Sequence, residues 1–428
     1  MKRKYFLLIY ITYFLSLLAF YNTIIYEEYS YFFYFRNELK IENIFISLIL
    51  FLVTLLLTMS TRKRFYRVTN EAFLFFSVIP SAVYIIYNDR PTVLVINVLI
   101  IIGIFIIDKL DSGRDIQRKI FRLKKVNIAF FVLFISILMI PYIIRIDNIN
   151  LANIFLEDIY ESRSSYESNV YLSYTSSPLS KVLLPFLLIS FIELKKHFLA
   201  ILGLLFIILI YLTTGAQKDV LIGMTLVLFC YFIIKKYGIS KLMSSITLAT
   251  TAASILGVIL YYFNHLAFFV TYIRRALFVG PGLSSVYLDY FTSNPYTNYS
   301  HSNIGQLFND GDRLNLTRWA GHNLLGRDVN ANIGIFLEGY VSFGIIGLLI
   351  SLMMMLILVG FLKKLNISYV YMGIWISFMY VINFSLLETL LITHGLVIFV
   401  LVAYFLVPRE NKTRCKYENR NSYVSGVK

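Results

Sequence analysis

The sequence predicts an all-α protein that crosses a membrane many times. Hydrophobic residues make up 58% of the 428 and charged residues only 15%, more apolar surface than a soluble fold of this size encloses. The apolar residues fall in separate runs, most of them long enough to cross a hydrocarbon core about 30 Å thick as a helix. Lys and Arg gather in alternate connections between the runs, as the positive-inside bias requires.

About 12 runs qualify as transmembrane helices. The first, near 5–25, follows "MKRK"; it is long and no A-x-A-like cleavage site follows it, so it reads as a retained span rather than a signal peptide. A second lies near 43–60. The third and fourth, near 72–87 and 92–107, are short, and Asn97 interrupts the fourth. Further runs lie near 126–145, 178–194, 198–213, 220–234 and 242–264; Pro185 interrupts the sixth, Lys181 and Glu193 sit near its ends, and the eighth is short. The last three run near 338–362, 368–388 and 392–408, with Asn383 inside the eleventh and Glu388 at its end.

With the N-terminus inside, the cytoplasmic connections "MKRK", "TRKRFYR", "DKLDSGRDIQRKIFRLKK", "KKH", "KKYGISK", "KK" and the tail hold most of the 39 Lys and Arg, while most of the 24 Asp and Glu fall outside. Both termini are therefore expected in the cytoplasm. A pI near 9.5 then reflects topology and does not imply a nucleic-acid partner. Organisation follows: residues 1–264 hold nine spans and an outer loop, 146–177, with acidic residues around Arg163; 265–337 form one large outer loop; 338–408 hold three spans; and 409–428 are a cytoplasmic tail. The large loop, rich in Tyr, Asn, Ser and Gly, predicts short amphipathic helices and turns. The basic "RDIQRKIFRLKK" predicts a segment lying on the inner lipid surface. Cys230 in a span and Cys415 in the tail offer no disulfide.

Ionisable groups inside a bilayer usually mark function, and the span centres read as nearly clean, which disfavours an ion-coupled carrier. Reactive side chains collect instead at the outer face: Lys218 and Asp219 in "TTGAQKD", Arg274 and Arg275 in "TYIRRALFVGPG", then His301, Arg313, Arg318, His322, Arg327, Asp328 and Glu338. An arginine doublet beside a glycine-rich turn suits phosphate oxygens, which guanidinium forks hold in pairs; lipid-headgroup anchoring is the plain alternative. Lys218 suits either an anion or interfacial snorkelling. His322 gains interest from its neighbours Arg318, Arg327 and Asp328. "DGD" at 310–312 reads as an Asp-Gly turn and not as a metal site. Tyr287, Tyr290, Tyr296, Tyr299 and Trp319 suit sugar rings or a membrane interface equally.

About twelve spans, a large outer loop late in the chain, the turn "TTGAQKD" and the span opening "NANIGIFLEGYVSFGIIGLLI" together resemble the bacterial Wzy-type oligosaccharide repeat-unit polymerases. These are related to O-antigen ligases and to the GT-C-like membrane glycosyltransferases. The resemblance implies a glycosyltransferase of the inner membrane that needs no metal or other cofactor. It would join undecaprenyl-pyrophosphate-linked oligosaccharides into O antigen or another surface polysaccharide on the outer face. Lys218, Arg274, Arg275, Arg318, Arg327, Arg163 and Trp319 would then hold diphosphate or glycan. His322 would be the base, with Glu338 and Asp328 as the other candidates. The implied partners are the lipid-linked oligosaccharide, membrane lipids and a chain-length regulator protein. An O-antigen ligase and a polysaccharide flippase or carrier are the competing expectations.

Overall fold

A computed structural model describes residues 3–117, 125–145, 170–214, 218–307 and 313–410. Regular structure there is helical, apart from a lone bridge between Ile367 and Arg409. Among the described residues eight helices are long and apolar enough to cross a membrane: α1 (Arg3–Tyr29), α2 (Ile41–Ser60), α3 (Arg64–Tyr87), α4 (Pro91–Leu110), α6 (Val170–Glu193), α8 (Lys218–Tyr237, apolar from Val220), α9 (Leu242–Tyr262) and α14 (Ile335–Lys364). The other expected runs form α5 (Lys125–Ile143) and three shorter apolar helices, α7 (His197–Thr213), α15 (Met372–Val381) and α16 (Leu396–Phe405). The chain is thus a polytopic helical membrane protein. The large loop forms α10 (Phe268–Leu277), α11 (Val279–Phe291), α12 (Asn303–Gln306) and α13 (Leu316–Leu325), the short helices its composition predicted.

The chain divides into two compact units. The first comprises Met1–Gly113, Ile239–Phe361 and Met379–Glu388. In it α1 packs along α9, and α2 along α3 and α4. Helical spacing sorts each surface: α1 buries Phe6, Tyr10, Tyr13, Leu17 and Phe20, and α2 exposes Phe45, Ile49, Leu52 and Leu56, the lipid-facing stripe of a span. α3 is enclosed along its whole apolar length. A π turn at Leu74–Val78 precedes Pro80, which has no N–H to donate to the helix.

α14 is a single helix only by hydrophobicity. Phe343 (φ −143°, ψ 25°) and Gly344 (φ 62°, ψ −141°) leave helical conformation and divide it into 335–342 and 345–364. The two parts then approach backbone to backbone: a Cβ at Gly347 would lie 2.0 Å from the carbonyl oxygen of Gly339. The loop before α12 satisfies the broken end, Thr297 N donating to Val341 O (3.0 Å) and Asn298 N to Ser342 O (3.1 Å). Those carbonyls would otherwise have no partner.

The second unit comprises Arg114–Gly238, Leu362–Phe378 and Thr389–Lys428. α6 packs on α7, and Glu193 at its end accepts from Tyr231 Oη (2.7 Å) and Lys235 Nζ (2.8 Å) on α8. α6 starts at Val170, inside the segment expected to be the outer loop 146–177; residues 146–169 lie outside the described residues. The small polar residues here stay helical because hydroxyls bond back to the preceding turn, Thr175 to Tyr171 O and Ser180 to Ser176 O (both 2.8 Å). The earlier start overturns the expectation that Lys181 lies near a span end. It stands mid-helix and buried, in a π turn at Leu179–Leu183. Lys181 Nζ and Ser177 Oγ both lie 3.0 Å from His394 Nδ1.

Candidate functional site

The segment "YSYFFYF", 29–35, follows α1 within the first unit and turns tightly on itself. Phe32 N donates to Tyr29 O (3.0 Å) and Phe35 N to Phe32 O (2.8 Å), and Phe32 and Tyr34 stack with ring centroids 5.5 Å apart. Tyr84 on α3 donates to Tyr34 O (2.8 Å) and so fixes the turn. Gly282 on α11 lies flat against the Tyr34 ring, where a Cβ would meet ring carbon at 2.5 Å.

This aromatic seat carries two arginines. Arg274, on the last turn of α10, is only 7% exposed; its guanidinium lies 4.2 Å from the Tyr29 centroid and 5.6 Å from that of Phe32. Arg327 lies 4.8 Å from Phe32 and 5.5 Å from Tyr31. Gly326 ends α13 in the left-handed conformation (φ 64°), with Arg327 N donating to Gly321 O (3.0 Å); this cap turns Arg327 out of the helix. Among the described residues neither arginine has an ion-pair partner, and Arg274 Nε is buried without a hydrogen bond. Burial, first, and then the charge of Arg275 lower the Arg274 guanidinium from its ordinary value. Burial pushes Tyr34 up to about 12 against the opposing charges of Arg274, Arg327 and Arg275. All three positive fields thus converge on one tyrosine.

A second buried pair belongs to the same unit. Glu338, on the first part of α14, is 1% exposed; its Oε1 lies 2.8 Å from His301 Nε2 and its Oε2 accepts from Leu387 N at 2.5 Å. His301 stacks against Tyr299 (5.3 Å), and its Nδ1 is buried with no partner. Arg313 Nε donates to His301 O (2.9 Å), holding the turn that presents the imidazole.

The remaining candidates are dispersed. Arg318 and Asp328 pair with each other (3.1 Å) in solvent, 65% and 72% exposed. Trp319 packs edge-on against Tyr290 (5.2 Å) and holds α13 to α11. His322 is exposed on α13 and makes no hydrogen bond among the described residues. Lys218 opens α8 in the second unit, with its side chain outside the described residues, and Arg163 lies outside them altogether. No group of three or more His, Cys, Asp or Glu among the described residues could hold a metal. Sequence reading missed the seat itself; seven residues, six of them aromatic, directly after a span were its signal. No protein-family model, curated protein or solved structure matches the chain.

Proposed function

We propose that the chain is a GT-C-like polymerase of oligosaccharide repeat units carried on a lipid diphosphate, acting at the outer face of a bacterial inner membrane. The observation that best supports this reading is the aromatic seat with Arg274 and Arg327 and, among the described residues, no carboxylate against either. Arginines seated over rings keep their outward N–H donors for an anion and lose little side-chain freedom when one binds. A lipid diphosphate has the matching chemistry, an anionic headgroup on a chain that stays in the bilayer.

In the proposed reaction the sugar C1–O bond to the diphosphate breaks while an acceptor hydroxyl forms a new bond to C1. Negative charge grows on the departing diphosphate, where Arg274 and Arg327, with Arg275 nearby, would stabilise it. The hydroxyl proton goes to a base. His301, oriented by Glu338, suits that role better than exposed His322, because a carboxylate on one ring nitrogen fixes the tautomer and leaves the other as acceptor. Direct displacement inverts the anomeric centre.

The test is purified protein supplied with lipid-diphosphate-linked repeat units. A ladder of longer glycans is expected, with inverted linkages, and Arg274→Ala should reduce it at least about tenfold. A protein that forms no ladder, or a ladder unaffected by Arg274→Ala and Arg327→Ala together, overturns the reading.

One observation favours a second reading, a carrier. The span centres are less clean than the sequence suggested: Lys181, His394 and Ser177 meet inside the second unit, beside π turns at Leu179–Leu183 and Thr389–Thr393. A carrier would move the lipid-linked glycan between the leaflets of vesicles without lengthening it.

A further inference from the structure

At the end of α3 away from the aromatic seat, the first unit contains a cavity of about 100 Å³. Arg3, Phe6, Met59, Arg64, Arg67, Val68, Glu71, Ile239 and Ser240 line it. We infer that this cavity binds the phosphate of an anionic phospholipid headgroup. The inference does not depend on the proposed glycosyl transfer.

Charge comes first. Three guanidiniums face one carboxylate, and the carboxylate is the deepest of the four: Glu71 is buried while Arg3, Arg64 and Arg67 lie on the more open side. Glu71 Oε1 lies 3.8 Å from Arg67 Nε, close enough to attract and too far for a hydrogen bond. Arg67 is fixed by a bond from Nη2 to Met59 O (2.8 Å), yet its Nε is buried with no acceptor. A buried guanidinium donor without a partner is costly and uncommon. A phosphate oxygen in the cavity would supply the acceptor. α3 also begins at Arg64 with no side-chain cap, so its positive end adds to the same field.

The surroundings distinguish a lipid from free phosphate. On α2, Phe45, Ile49, Leu52 and Leu56 are exposed, a stripe at helical spacing that continues to Met59 and along which acyl chains can lie. Met59, in the lining, joins that stripe to the headgroup site. Free phosphate would gain nothing from it. Basic pockets between membrane helices commonly serve anionic headgroups in this way.

The test measures retention of defined lipids by the full-length protein in native mass spectrometry, paired with thermal denaturation. The arms are phosphatidylglycerol, phosphatidylcholine and inorganic phosphate. Phosphatidylglycerol is expected to be retained and to raise the denaturation midpoint, while the other two have little effect. Arg3→Gln and Arg64→Gln should each weaken retention about fivefold, the usual contribution of one basic residue at an anionic surface. Arg67→Gln should do so more strongly; should that variant fail to fold, the two rim variants decide. Equal retention of phosphatidylcholine, or phosphatidylglycerol retention untouched by Arg3→Gln and Arg64→Gln, overturns the site. A midpoint shift by inorganic phosphate equal to that by phosphatidylglycerol overturns the lipid assignment.

Discussion

Arg274 is buried with no carboxylate partner among the described residues. Two aromatic faces take the place of an anion and leave the outward donors unspent. The arrangement depends on planarity, so Arg274→Lys should not rescue function: a lysine keeps the charge but loses both the stacking and the paired donors. Donor KM is expected to rise at least about tenfold in Arg274→Lys, about 1.4 kcal/mol, with Phe32→Leu giving a smaller rise of the same kind; steady-state kinetics with the lipid-linked donor checks both. The reactive arginines were legible in the sequence, Arg274 in a doublet and Arg327 among the reactive side chains ahead of a span. Their meeting place was not, because Tyr29 and Arg274 are far apart along the chain and no local periodicity links them. His322 and Asp328 stand apart for the complementary reason. Nearness in sequence suggested a cluster, whereas α13 leaves His322 exposed and Asp328 bound to Arg318 in solvent.

At the scale of the element, α14 shows how far hydropathy can be trusted. Its 30 residues read as one apolar passage, with "FGIIG" as part of the span opening. The break instead requires a glycine, because φ 62° with ψ −141° belongs to a region that side chains with a Cβ avoid. Gly344→Ala should cost about 1–3 kcal/mol, since the new methyl also meets the Tyr296 hydroxyl at 2.8 Å. Thermal inactivation in detergent checks this, and Gly113→Ala, also at positive φ but in open space, is the control that should cost less. The caps of α13 were open to sequence reading: Asn315 accepts from Arg318 N at 3.2 Å and Gly326 closes the helix, both residue types usual at those places. The start of α6 was not, since "YLSYTSSP" looks like a loop until its hydroxyls are seen bonded within the helix.

For the whole molecule, composition was enough to predict a helical membrane protein, because so apolar a chain has few other ways to satisfy its backbone. The order of spans followed from the apolar runs, and charge makes a separate prediction about sidedness. Cys230 is buried and Cys415 stands in the basic tail. In intact cells a membrane-impermeant maleimide should leave both thiols unlabelled and reach Cys415 only after lysis, as judged by a mass shift; labelling of Cys415 before lysis would reverse the topology. The division into two units was not legible, since each gathers three separate stretches of chain.

The broken helix has one more consequence, which concerns time. Thr297 and Asn298, which receive the end of the 335–342 segment, leave the ribosome before that segment does. Their partners Val341 and Ser342 are made some forty residues later, so the receiving loop is already synthesised when the half-helix emerges. A chain made N-terminus first therefore never has to hold those carbonyls waiting for a donor still to be translated.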